Sequence, residues 1–166
     1  VGYSNVACTG YMANPVPVDI NGDRYKEIAV SSLNPIRNTP PYDDFWNPEG
    51  DWHCNTNITV FFLDGSIAPG FPVNIKGEMS TPLIAGDIDG DGFDEIVIGT
   101  LTPLEDIFKQ WDTEEPFVSV SGLYVLEKSG AIRQGWPKLG FVWDVAMADT
   151  NSDNVIEIAA EASFDE

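Results

Sequence analysis

Three copies of one acidic segment dominate the chain: DINGDRYKEIAV at residues 19–30, DIDGDGFDEIVI at 87–98 and DTNSDNVIEIAA at 149–160. Their starts lie 68 and 62 residues apart. Recurrence at such a spacing marks a repeat architecture, which limits the fold before any local prediction is made. A second element recurs between the copies: FLDGSIAPGFP at 62–72 matches LEKSGAIRQGWP at 126–137 with one added residue. Two different elements returning in the same order imply consecutive units of one design.

Each unit reads as four short strands. Apolar stretches at 16–18, 83–85 and 145–148 precede the acidic loops, and β-branched runs at 27–31, 95–99 and 157–160 follow them. Third strands are expected at 59–63 and 122–126. A turn holding Asp64-Gly65 or Ser129-Gly130 then leads to fourth strands at 71–75 and 136–139. Helical periodicity is absent apart from a short turn at 104–111. The expected fold is therefore all-β, built of four-stranded antiparallel β-propeller blades. Residues 15–75 form one blade with an insertion at 33–57, and residues 82–140 a second with an insertion at 101–119. Residues 143–166 begin a third, and 1–14 are a leading segment or part of a preceding blade. About two and a half blades do not close a ring, so the remaining blades are expected from a parent chain or another subunit.

The loops carry oxygen donors at positions 1, 3, 5 and 9. Copy one offers Asp19, Asn21, Asp23 and Glu27; copy two Asp87, Asp89, Asp91 and Glu95; copy three Asp149, Asn151, Asp153 and Glu157. The carbonyl at position 7 (Tyr25, Phe93 or Val155) completes each set. Hard oxygens in that number suit Ca²⁺ better than Mg²⁺, which demands a stricter octahedron. Up to three ions are expected, the tightest in the all-acid loop with flexible Gly90 and Gly92. Asn154 at position 6 of copy three tolerates the left-handed backbone, which weakens that loop without removing it. An EF-hand is excluded, because position 12 is Val30, Ile98 or Ala160 where that motif needs a bidentate Glu. The simpler account, solvated acidic turns, fits a single Asp-Gly cluster better than a threefold recurrence of one donor spacing.

Composition narrows the function. With 27 Asp+Glu against 8 Lys+Arg the net charge is −19, which argues against nucleic acid as a partner. No apolar run approaches the roughly 20 residues of a membrane helix, so membrane insertion is not expected. A single histidine, His53, argues against a Ser-His-Asp triad or a multi-histidine metal site. Cys8 and Cys54 fit one disulfide or two free thiols; the sequon Asn57-Ile58-Thr59 and the acidity favour an extracellular setting, and hence the bond. Asn57 is the expected glycosylation site.

The acidic loop followed by a hydrophobic strand, with Gly-Phe-Pro or Gly-Trp-Pro closing each unit, resembles the FG-GAP/VCBS-type repeats. The resemblance covers about residues 15–166. It implies seven- or eight-bladed calcium-binding propellers of the kind found in integrin α-subunits, and an extracellular or cell-surface address. It implies no single activity.

The expected function is non-catalytic: a structural or adhesive propeller segment with a protein or glycan ligand. The two insertions would lie on the face opposite the cations and carry the candidate ligand contacts Tyr42, Trp46, Trp52 and Trp111, although aromatic residues there can simply pin loops. Trp136 and Trp143, beside strands, are expected in the core. Two alternatives differ in class. One is an accessory or catalytic propeller domain of a secreted carbohydrate-active enzyme, in the catalytic case using paired acids such as Asp43/Asp44 or Glu105/Asp106. The other is a subunit of a polymeric surface or filament assembly.

Overall fold

The computed structural model describes residues 15–37, 52–101, 121–153 and 155–164, with 34–37, 52–54 and 164 described as backbone only. Ten strands occur in order: β1 (Val16–Val18), β2 (Glu27–Arg37), β3 (Trp52–Phe61), β4 (Val73–Lys76), β5 (Glu78–Met79), β6 (Ile84–Gly86), β7 (Glu95–Leu101), β8 (Gly122–Leu126), β9 (Lys138–Ala148) and β10 (Glu157–Phe164). The chain is all-β, with no helix among the described residues.

β1-β2-β3-β4 form a four-stranded antiparallel meander. The second unit repeats it as β6-β7-β8-β9, with β5 added beside β7 on the β6 side. β9 then passes from this four-stranded layer to β10, within one hydrogen-bonded path β10-β9-β8-β7-β5. Its Lys138 and Leu139 pair with β8, whereas Gly140 to Ala148 pair with β10. Each acidic loop joins the first two strands of a unit, as β1–β2, β6–β7 and β9–β10.

The strands run further than the sequence pattern suggested. β2 and β3 stay paired out to Arg37↔Trp52, so both ends of the expected 33–57 insertion are ladder rather than loop. The hairpin turns also correct the repeat alignment. Phe62 N donates to Ser66 O at 2.8 Å and Glu127 N to Ala131 O at 2.9 Å; Ala68 N bonds Val60 O, and Arg133 N bonds Val125 O, both at 2.9 Å. Phe62 therefore corresponds to Glu127, Leu63 to Lys128 and Ala68 to Arg133, with no added residue. The equivalent Phe71-Pro72 and Trp136-Pro137 peptides are both cis.

Two cores explain why β7 and β8 lack polar alternation. Ile96, Ile98, Tyr124 and Leu126 face Val18, Ala29, Ile58 and Val60 of the first sheet. Val97, Leu123 and Val125 face Val142 and Val145, with Ile158 and Ala160 packed alongside. The middle sheet is thus covered on both sides, and an apolar residue is favourable at every position. Trp136 is half-buried against the second core. Trp143 is not in the core; it is 56% exposed. It falls where the β9–β10 register shifts between Val142↔Ala162 and Asp144↔Glu161, so it has no cross-strand partner. Its ring stacks on Phe141 at 6.5 Å between centroids.

Candidate metal centre

The loops are wired alike. The position 1 carboxylate accepts the N–H of position 4: Gly22 to Asp19 at 2.7 Å, Gly90 to Asp87 at 2.7 Å, Ser152 to Asp149 at 2.6 Å. Position 3 accepts the N–H of position 5, at 2.9 Å in Asn21 and Asn151 and 3.0 Å in Asp89. Position 5 accepts the N–H of position 7, from Tyr25, Phe93 or Val155, at 2.8–2.9 Å. The glutamate at position 9 reaches back to the N–H of position 2, from Ile20, Ile88 or Thr150. Short side chains that bond their own backbone two or three residues on are what Asp and Asn supply best. The sequence thus closes each loop locally.

That closure requires a left-handed backbone at position 4, where φ is 75° at Gly22, 77° at Gly90 and 66° at Ser152. Position 6 is left-handed too, at Arg24 (70°) and Gly92 (87°).

The third position separates the loops. In loops one and three it is Asn, and its amide group donates inward: Asn21 Nδ2 to Asp23 and Glu27, Asn151 Nδ2 to Asp153 and Glu157. In loop two it is Asp89, which has no donor to offer. Arg133 supplies it instead. Its guanidinium lies 2.9 Å from Asp89, 3.8 Å from Glu95 and 3.2 Å from Glu127. Lys128 adds a looser ion pair to Asp91 at 3.4 Å and stands over the Phe93 ring.

Oxygens of Asp87, Asp89 and Glu95 lie within 4.8 Å of one another, the one such group of carboxylates among the described residues. Glu95 is 1% exposed. Its pKa is pushed up to about 7, chiefly by burial and further by the charges of Asp89 and Glu127. Burial also disfavours the Asp89 carboxylate, but the Arg133 hydrogen bond and charge outweigh it and hold that group below its ordinary value. A buried glutamate that resists ionisation among other acids, with a guanidinium drawn toward it, is an environment short of positive charge. The donors fit a hard divalent cation.

Loops one and two are also joined. Asp94 Oδ2 accepts from the Asp19 N–H at 2.7 Å and from Lys26 Nζ at 2.7 Å, and the Asp94 N–H donates back to the Asp19 carbonyl at 2.8 Å. Beside this joint, the Phe93 ring lies against Gly22.

The expected donors of all three loops are among the described residues, with Asp19, Glu27 and Glu95 buried and Tyr25 exposed. Sequence reasoning missed Arg133, Lys128, Lys26 and Asp94. The available signal was the departure of the second turn from the first, Arg for Ala, together with Asp at position 8. Asn57 lies within β3, opposite Ser32 and Asn74, with its Oδ1 accepting from Asn74 at 2.6 Å. Cys8, Tyr42, Trp46, Trp111, the acid pairs Asp43/Asp44 and Glu105/Asp106, the 104–111 turn and Asn154 lie outside the described residues. So do the side chains of Trp52 and Cys54. Comparison with protein families, with curated proteins and with solved structures returns no match.

Proposed function

We propose that the chain is a calcium-binding segment of an extracellular β-propeller with a structural or adhesive role, and not a catalyst. Its acidic loops are the cation sites. The observation that carries this reading is the common wiring of three loops at one place in three successive units, with the fullest carboxylate set gathered around a buried glutamate in the second. Asp87, Asp89, Asp91, the Phe93 carbonyl and Glu95 would hold the ion in loop two, and the matching residues would do so in loops one and three. Calcium there offsets like charges and ties the first two strands of each unit together.

Stacking of successive antiparallel units supports the propeller reading. The middle sheet has a neighbour on both faces, whereas the outer face of the first carries a cross-strand row of Pro17, Ile28 and Phe61. Such a row suits the packing surface of a further unit, from a longer parent chain or a second chain. The extracellular address rests on the sequon, the cysteine pair and the acidity.

Titration calorimetry with Ca²⁺, against Mg²⁺ at the same ionic strength, tests the cation reading. Saturable heat with Ca²⁺, reduced by Asp89→Ala, is expected. Heat absent, or equal for both cations and unaffected by Asp89→Ala, overturns it.

A further inference from the structure

The second unit differs from the first at one cluster of matched positions. Glu127, Lys128 and Arg133 stand where the first unit has Phe62, Leu63 and Ala68, and Asp89 stands where it has Asn21. Beside the first loop lies an open pocket of about 380 Å³, lined by Ile20, Asn21, Phe62 and Ala68 and bordered by Lys128 and Ser129 of the second unit. In the second, the matched arginine reaches the acidic loop. The same turn position thus carries a small apolar residue beside loop one and an arginine in contact with loop two.

We propose that Arg133 is a built-in counter-ion of the second loop, and that a divalent cation entering the loop must displace its guanidinium from Asp89 and Glu95. This inference rests on the calcium reading of the loop. Arg133 already touches a second partner outside the donor set, Glu127 at 3.2 Å, which can keep the guanidinium when the loop acids turn to the ion. Its side chain is 26% exposed, so the exchange needs no opening of the core. Without the arginine, Asp87, Asp89, Asp91 and Glu95 would repel one another when no ion is bound; with it, the empty loop stays closed but binds calcium less tightly than four acids alone would. Loops one and three hold an Asn amide in that place and need only reorient it. The loop with the most acids is consequently the one whose occupancy is most strongly opposed from within.

Arg133→Ala, which installs the residue the first unit carries, tests this on the intact protein. Melting is followed in excess chelator and in millimolar calcium, and affinity by calorimetry. The variant is expected to melt lower than wild type in chelator, to recover most of the loss in calcium, and to bind calcium about fivefold to tenfold tighter at one site. Arg133→Lys, which keeps the charge on a shorter reach, should lie between the two. An equal loss of melting temperature in both conditions, or an unchanged calcium affinity, makes Arg133 an ordinary ion pair and overturns the inference while the calcium reading stands. If neither wild type nor the variants bind calcium, the reading and the inference fall together. Should Arg133→Ala fold only in calcium, that supports the proposal; should it fold in neither, the affinity of Arg133→Lys decides, and a value equal to wild type overturns it.

Discussion

Ser152 and Arg24 hold a left-handed backbone that achiral glycine adopts freely and L-residues adopt at a cost of about 1–2 kcal/mol. Their loops keep the bonds to the position 1, 3, 5 and 9 side chains that loop two makes, so the wiring outweighs the strain. Replacing Ser152 by Gly should therefore stabilise the protein by about 0.5–1 kcal/mol, less than the full strain because glycine also loosens the unfolded chain. The opposite change isolates the same term. A Cβ at Gly90 meets nothing within 4 Å, so Gly90→Ala introduces no clash and should cost about 1 kcal/mol through the backbone alone. Urea unfolding of both variants measures the pair; equal and negligible shifts would mean that the loops relax to another conformation.

Between elements, the joint at Asp94 matters more than any exposed ion pair. Its carboxylate is buried and accepts from both the Asp19 N–H and Lys26, so Asp94→Ala strands a buried donor as well as removing an ion pair. A loss of about 2–3 kcal/mol is expected. Lys26→Ala removes only a half-exposed partner and should cost about 1 kcal/mol or less. Denaturant midpoints for the two variants check the ordering, and a larger loss for Lys26→Ala would contradict it. The β3–β4 and β8–β9 turns meet even more closely. A Cβ on Gly70 would fall on the Ser129 carbonyl, and one on Gly130 on the Gly70 carbonyl. Backbone cannot yield as a side-chain tip does, so Gly70→Ala should separate the first two units and appear as lost protection in hydrogen exchange along β1 and β6.

At the scale of the molecule, a net charge of −19 opposes compaction, and the acidic loops concentrate part of that charge on three strand connections. Binding only to the folded state adds about 2.7 kcal/mol per site at a hundredfold excess over Kd. For a domain of this size that is roughly 5–10 °C of melting temperature for one site. Chelation is expected to lower the melting temperature by at least this amount, and added monovalent salt should restore part of it by screening. With calcium present, Asp89→Ala should be more damaging than Asn21→Ala or Asn151→Ala, because it removes a charged donor. A melting curve indifferent to chelator would leave the loops as solvated turns.

The nine residues of each loop determine its closure, because every bond that shapes it spans two to seven positions and is made by short side chains to nearby N–H groups. The all-β class, the order of strands around each loop and the donor spacing were legible for the same reason: they are local patterns repeated three times. The β2–β3 ladder was read too short, since Asn34 and Pro35 look like a loop and only pairing with β3 holds them extended. Trp143 was misplaced because a register shift is invisible to alternation. What surrounds the loops was decided only in three dimensions. Asp94 meets Asp19 across 75 residues, and Arg133 and Asp89 belong to different hairpins. The first contact exists because apolar faces of successive sheets bury one another; the second exists because pairing of β7 with β8 brings the β6–β7 loop and the β8–β9 turn to one rim of the same sheet. The sequence alone specified three acidic loops and one arginine in the second turn; strand pairing decided that the arginine would share its space with the second loop.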